Sequence, residues 1–447
     1  QTSGKKHPYL FTQCQAIHAR SLVPCQDTPV FKFSYYASVQ VPQPLRALMS
    51  AIEVGEENVD NNTKIYKFEQ TVKIPSYLIA LAVGNLVGKK IVPRSTVWTE
   101  PEVVESAAWE FVDTEKFIEI GEKLLTPYEW KKYDFLVLPA SFPSGGMENP
   151  CLTFVTPTLL AGDRSLVDVV SHEISHSWMG NLVTTLNWEH SWLNEGWTVF
   201  IERKIMGRLH GEATAEFNAI IGWRALEQDI ELFGENNPLT ALTPKLKDVD
   251  PDDSGSLVPY EKGFNFLYHI QKVIGGPQNF EPYMKAHVQE FAGKSIATDD
   301  WKRKIFLKKK ADLDNIQWDA WLHTPGMPPV QNEFDHKLAK ACHELAEKWH
   351  HARDNQVFDE FSPNDIKNFT PGQKRWQQVC LKSEYELIFP HVVKFVTEQG
   401  RMKYVRPLYR LLNQTKNGSE LAKKTFRENK SFYHPIAAAM IEKDILK

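Results

Sequence analysis

The stretch Ser171–Trp197, SHEISHSWMGNLVTTLNWEHSWLNEGW, carries three side chains suited to one metal ion: His172, His176 and Glu195. HEISH has the form H-E-x-x-H. Residues four apart on a helix share a face, so the two imidazoles reach a common ion. Apolar Leu166, Val169 and Val170 predict that helix, Ser165 with Asp168 reads as a capping box at its start, and Gly180 as its end. Glu195 follows His176 after eighteen intervening residues and supplies a third ligand from the next helix. Two imidazoles and one carboxylate suit zinc, one ion per chain, and leave a fourth position for water. Glu173 is not aligned with the histidines. It faces that water, which zinc brings to a pKa of about 7, and takes its proton during attack on a carbonyl. Chance places H-E-x-x-H in only about a few per cent of chains this long, and the third carboxylate makes chance a poorer explanation.

The rest of the composition sets bounds. A chain of 447 residues is too long for one ordinary core, so two or three domains are expected. Hydrophobic content of 42% and charged content of 24% fit a soluble globular protein. The net charge of -4 offers no basic excess for nucleic acid. The longest apolar run, Tyr77–Gly88, is too short to span a bilayer and reads as a buried strand with its turn. Five cysteines, Cys14, Cys25, Cys151, Cys342 and Cys380, are scattered without a CxxC, which favours reduced thiols and a cytoplasmic setting. The opening QTSGKKHPYL has neither Met nor a signal-peptide pattern, which leaves room for a segment upstream. No pattern sets an oligomeric state.

Along the chain, VFKFSYYASVQVP and KIYKFEQTVKIPSYLIALAVG alternate with period two and predict strands, with polar EVGEENVDNNTK as the loop between them. VVESAAWEFVDTEKFIEIGEKLL predicts one amphipathic helix, and YDFLVLPA a short buried strand. From Ser165 to about Lys310 the pattern is mostly helical. HTPGMPPVQNEFD, His323–Asp335, reads as a linker, and short helical segments follow it. The expectation is an α+β multidomain protein: a β domain over 1–85, a mixed α/β domain over 86–325 and a helical domain over 326–447.

HEISH with its distant Glu195, and GGMEN upstream at Gly145–Asn149, resembles the M1 family of zinc aminopeptidases. SFPSGGMENPCLTFVTPTLLAGDRSL, HEISHSWMGNLVT, VPYEKGF and TEQGRMKYVRPL extend the likeness over nearly the whole chain. They point to the branch that both removes N-terminal residues from peptides and opens a lipid epoxide, leukotriene A4, to leukotriene B4. The resemblance implies an N-terminal β saddle, here without its first part, a thermolysin-like zinc catalytic domain and a C-terminal α-helical superhelical domain. It also implies that a segment around Phe369–Cys380 is shorter than in relatives.

Roles follow by the same resemblance. Glu148 binds the α-amine of a peptide, with Gly145, Gly146 and Met147 lining the substrate and Gln13 and Gln15 of TQCQA beside the amine. A carboxylate is the natural partner of an ammonium, and Gly-Gly lets backbone approach a ligand closely. Tyr260 of VPYEKGF donates to the developing oxyanion. Asp252 receives a cationic first side chain, such as Arg, and places water during epoxide opening. Arg401, with Lys403 nearby, takes the substrate carboxylate through its bidentate fork. If Arg401 reaches the pocket, the active site lies between domains. On the residues alone each has a plainer reading: a loop Glu, strand glutamines, a packed Tyr, a turn Asp and a solvated helix face. Likewise Trp188, Trp192 and Trp197 line a lipid tunnel or, more commonly for such residues, belong to the core.

Gly255 and Ser144 stand where the resembled branch has pocket tyrosines, which predicts a roomier pocket and altered lipid specificity. Three functions therefore compete: the bifunctional hydrolase, a plain aminopeptidase of the aminopeptidase B type, and a silent scaffold. The complete zinc constellation disfavours the last.

Overall fold

The computed structural model describes residues 2–303, 313–340 and 386–446, with isolated positions between 344 and 382. The strands at the start of the chain are β1 (Leu10–Phe11), β2 (Lys32–Pro42), β3 (Arg46–Met49), β4 (Ile52–Asn58), β5 (Thr63–Pro75) and β6 (Leu81–Gly84). They form two sheets, in the orders β2-β5-β4 and β1-β6-β3. Half of the residues expected to form a polar loop, Glu53–Asn58, are strand β4. Its pattern is not apolar alternation but charge: Glu56 pairs with Lys64 at 2.7 Å and Glu57 with Lys67 at 2.9 Å, across to β5. Charged side chains on an edge strand block pairing with other chains. The Tyr77–Gly88 run is not one strand either. Ser76–Leu78 is a 3-10 turn, and β6 supplies the strand.

The sheet changes after Leu86. β7 (Val87–Val92), β8 (Ser95–Thr99), β9 (Asp134–Val137), β10 (Gly146–Met147) and β11 (Leu152–Val155) make a five-stranded sheet in the order β10-β11-β9-β8-β7. β8, β9 and β11 run parallel, and β9 and β11 are buried throughout. The amphipathic stretch before β9 is two helices, α1 (Val104–Glu110) and α2 (Thr114–Leu124), rather than one. Thr114 Oγ1 bonds back to the Phe111 carbonyl at 2.5 Å, and Lys116 reaches Asp113 at 2.6 Å. A Thr side chain competes with the helix for backbone groups, so the break falls at Thr114.

Five helices carry the centre: α3 (Asp168–His176), α4 (Trp192–His210), α5 (Glu212–Phe233), α6 (Gly263–Val273) and α7 (Pro277–Phe291). The expected capping box of α3 does not form. Val167 is the cap, Ser165 N–H donates to Asp163 and Asp168 turns to the Val169 N–H. α4 is buried on nearly every face, as a helix without a polar side must be. Trp192 and Trp197 are fully buried in packed aromatic clusters with Trp301, Phe266, Phe280 and His287, so both are core.

One hydrophobic core runs from Val41 to Leu322 and joins the N-terminal sheets to the centre. A second, from Leu381 to Ile445, lies within the C-terminal helices Phe389–Glu398, Met402–Gln414, Ser419–Asn429 and Pro435–Ile445. His323–Asp335 between them has no helix or strand but is fastened: Lys262 Nζ takes the carbonyls of Thr324 and Gly326 at 2.9 and 2.8 Å. The Phe369–Cys380 region lies almost entirely outside the described residues, as does Cys342. No helix among the described residues is long and apolar enough to cross a membrane.

Candidate active site

α3 presents His172 and His176 toward Glu195 in the first turn of α4. The two Nε2 atoms are 3.2 Å apart, and Glu195 Oε2 lies 3.6 Å from His172 Nε2 and 3.2 Å from His176 Nε2. Ligand atoms bonded at 2.0–2.1 Å around a tetrahedral zinc stand roughly 3.3 Å from one another. The triangle therefore has the size of a zinc site.

The opposite ring nitrogens decide the tautomers. His176 Nδ1 faces the Met179 carbonyl at 2.9 Å and so must donate. His172 Nδ1 faces Glu202 Oε2 at 2.9 Å and donates likewise. Both Nε2 atoms then point into the triangle toward Glu195, where a shared cation would satisfy all three groups. The local field agrees. Burial pulls His176 down, but Glu148 and Glu195 outweigh it and raise its pKa to about 9. Burial also pulls His172 down, and Glu195 with Glu202 more than offsets it. Burial pushes Glu195 up, yet the two imidazoles hold its carboxyl at about 2. The pocket favours positive charge, and the donor set fits zinc.

Glu173 and Glu148 stand beside the triangle. Ligand atoms of Glu148, Glu173 and His176 all lie within 4.8 Å of one another. Burial first, then neighbouring carboxylates, raise Glu148, and the same causes push Glu173 up to about 8 against the pull of the histidines. Glu148 Oε1, Glu173 Oε2 and Gln13 Oε1 are buried acceptors with no hydrogen-bond partner. Gln13 Nε2 contacts Met147 Sδ at 3.3 Å, which puts its unpaired oxygen on the GGMEN wall. Gln15 follows two residues later, half-buried.

The GGMEN segment is placed by β10, which pairs with β11 so that Gly146 opposes Val155 and Met147 opposes Phe154. A Cβ at Gly146 would overlap the Glu173 carboxylate, and one at Gly145 would lie 2.6 Å from Arg401 Nη2. The glycines are what let both side chains close on this strand. α3 ends at His176, short of the expected Gly180, which takes φ +117° in the turn beyond and where a Cβ would press on His176 Nδ1.

Tyr260 lies in a π-turn, Val258–Lys262, and stacks on His172 with ring centres 6.0 Å apart at 24°. Burial and the nearby Glu195, Glu148 and Glu173 keep its hydroxyl protonated, so it is a donor. Arg401 is buried at the start of Met402–Gln414 and bonds Thr158 Oγ1 at 3.2 Å and the Tyr404 hydroxyl at 3.0 Å. The flanking backbone is pinned to the central domain, Gly400 N to the Ala140 carbonyl and Met402 N to that of Pro143. Lys403 is exposed. Asp252, in the turn Pro251–Ser254, is bound by His18 Nε2 at 2.7 Å. Gly255 is exposed and Ser144 half-buried.

Sequence reasoning missed Glu202, Thr198 and His18. Thr198 Oγ1 lies 3.1 Å from His176 Nδ1. Glu202 follows Glu195 by seven residues, two helical turns on the same face, and that spacing was there to be read.

Known proteins resemble this arrangement and its whole fold. The model of the peptidase family M1 domain matches residues 109–321, that of the peptidase M1 N-terminal domain 1–78, and that of the leukotriene A4 hydrolase C-terminal region 361–445. Leukotriene A-4 hydrolase of Xenopus laevis is 48% identical over 487 aligned positions, covering 100% of this chain and 80% of the relative. The chain belongs to the M1 peptidase family. This M1 peptidase is also 42% identical to leucine aminopeptidase 2 of Aspergillus terreus, over 100% of the chain and 79% of the relative. Its structure superposes on that of yeast LTA4 hydrolase in complex with bestatin with a TM-score of 0.91, at 40% identity, covering 100% of this chain and 79% of the other. It is a hydrolase of the M1 type, with the N-terminal sheet domain, catalytic domain and helical C-terminal domain of that family.

Proposed function

We propose that this M1 peptidase is a bifunctional zinc hydrolase of the cytoplasm. It removes N-terminal residues, Arg preferentially, from short peptides, and opens the epoxide of leukotriene A4 to give leukotriene B4. The observation that carries this reading is the triangle of two inward Nε2 atoms and Glu195, with one unpaired carboxylate oxygen on each of Glu148 and Glu173 beside it. The free thiols of Cys14, Cys25 and Cys151 support a reducing compartment.

His172, His176 and Glu195 hold the zinc, which when bound polarises a carbonyl or epoxide oxygen and acidifies water. Glu148, with Gln13 Oε1, accepts the α-ammonium and so limits cleavage to the first peptide bond. Glu173 takes the proton of the attacking water and passes it to the leaving amine. Tyr260 donates to the oxyanion as charge develops there. Arg401 holds the carboxylate of a short peptide or of the fatty acid. Asp252 meets the first side chain of a peptide and orients water for the lipid. Lys403, being exposed, acts through charge.

A second reading, a plain aminopeptidase without useful epoxide activity, draws on Gly255 and Ser144 and on the fungal relatives named leucine aminopeptidase 2. Incubation with leukotriene A4 and identification of the products separates the two. Enzyme-dependent leukotriene B4 is expected. Absence of any enzymatic dihydroxy acid, with arginyl anilide still cleaved by wild type and not by Glu173→Gln, leaves the second reading standing.

A further inference from the structure

We infer that Glu261 and Arg203 are positioning residues, whose buried ion pair sets the place of the Tyr260 hydroxyl over the metal site. Arg203 Nη1 bonds Glu261 Oε2 at 2.9 Å, and Nη2 bonds Oε1 at 2.8 Å, a bidentate fork with both side chains buried. Arg203 adjoins Glu202, which holds His172 Nδ1. Glu261 adjoins Tyr260, whose ring stacks on the same His172. The fork thus ties together the two elements that grip His172, α4 and the π-turn.

Further contacts on both sides make the clamp stiff. The Arg203 guanidinium lies 4.1 Å from the Phe264 ring centre and donates to the Asn218 carbonyl on α5 at 3.1 Å. Gly222 of α5 faces the fork, where a Cβ would overlap both the Glu261 carboxylate and the Arg203 guanidinium. On the other side Lys262, fully buried, donates to the carbonyls of Thr240, Thr324 and Gly326 at 3.2, 2.9 and 2.8 Å. The π-turn runs directly into α6, and single wide turns of this kind are rare and occur frequently at functional sites. Here the two residues after Tyr260 are each fastened, Glu261 by an ion pair and Lys262 by three hydrogen bonds, so the hydroxyl has little freedom. A donor displaced by about an ångström loses much of its value to a transition state while substrate binding is left alone.

The inference rests on Tyr260 acting as the oxyanion donor, and the test separates the two ideas. Zinc-loaded full-length Glu261→Gln, Tyr260→Phe and the double variant are compared on an arginyl anilide. Gln presents an NH2 group where Arg needs an acceptor, so the fork cannot close. The expected result for Glu261→Gln is unchanged zinc content, kcat lower by about ten- to a hundredfold, and KM within about twofold. In the Tyr260→Phe background the same change costs less than about twofold, because the hydroxyl it positions is gone. Wild-type kcat in Glu261→Gln with only a lower melting temperature overturns the inference. So does an equal loss with and without the Tyr260 hydroxyl. Wild-type kcat in Tyr260→Phe overturns the oxyanion role and the inference with it. Should Glu261→Gln not fold, Gly222→Ala displaces the fork without removing its charge and enters the same cycle.

Discussion

Glu202 acts at one remove from the metal. By accepting the His172 Nδ1 proton at 2.9 Å it fixes which nitrogen faces the ion and raises the basicity of that nitrogen. Replacement by Ala leaves His172 free to turn and to change tautomer. Glu202→Ala is expected to bind zinc about ten- to a hundredfold more weakly, read by competition with a chelator. An unchanged affinity would mean that packing alone orients the ring. Tyr260 and Glu173 occupy neighbouring positions in the pocket but differ in kind. Tyr260 stays protonated and donates, whereas Glu173 is the group poised to exchange a proton.

Elements decide how closely these side chains meet. β10 is two residues long, yet it carries the wall of the site because Gly146 has no Cβ to collide with Glu173. The clash in Gly146→Ala falls on a carboxylate end hemmed in by Glu148 and His176, so α3 and β10 cannot both keep their places. We expect at least about a hundredfold loss of kcat/KM in Gly146→Ala with zinc content retained, since a 1 Å misplacement is enough for that. Activity near wild type would show that Glu173 swings aside at no cost. The same scale shows where reading by periodicity fails. β4 is specified by cross-strand pairs of Glu with Lys, and the α1–α2 break by Thr114 bonding back to the Phe111 carbonyl. Neither leaves a mark in the spacing of apolar residues.

Across the whole molecule, buried ionisable groups set the response to pH. His287 is stacked on Trp197 with ring centres 5.0 Å apart, and burial pushes its pKa down to about 3. The unfolded chain protonates this residue near pH 6.5, so it takes up the proton first, and stability falls as pH drops from there toward 3. At pH 5 the loss from this residue is about 2 kcal/mol. His287→Phe removes the term, so its denaturant midpoint should fall less than that of wild type between pH 7 and pH 5. Parallel midpoints would place the acid sensitivity elsewhere. Arg401 also belongs to this scale, because it enters the site from the C-terminal helices and reaches Gly145 and Thr158 of the central domain.

The sequence by itself determined the metal-binding chemistry and the order of the parts. H-E-x-x-H on a helix aligns two imidazoles whatever surrounds them, since the helical repeat alone puts residues four apart on one face. The change from period two to period 3.6 was legible for the same local reason, whereas the GGMEN run was read through its resemblance to the M1 family. Tertiary structure decided everything that depends on two segments meeting. The pairing of His18 with Asp252, the approach of Arg401 to Gly145 and the fork between Arg203 and Glu261 join residues 234, 256 and 58 positions apart. Such contacts are made by packing, which leaves no period in the chain.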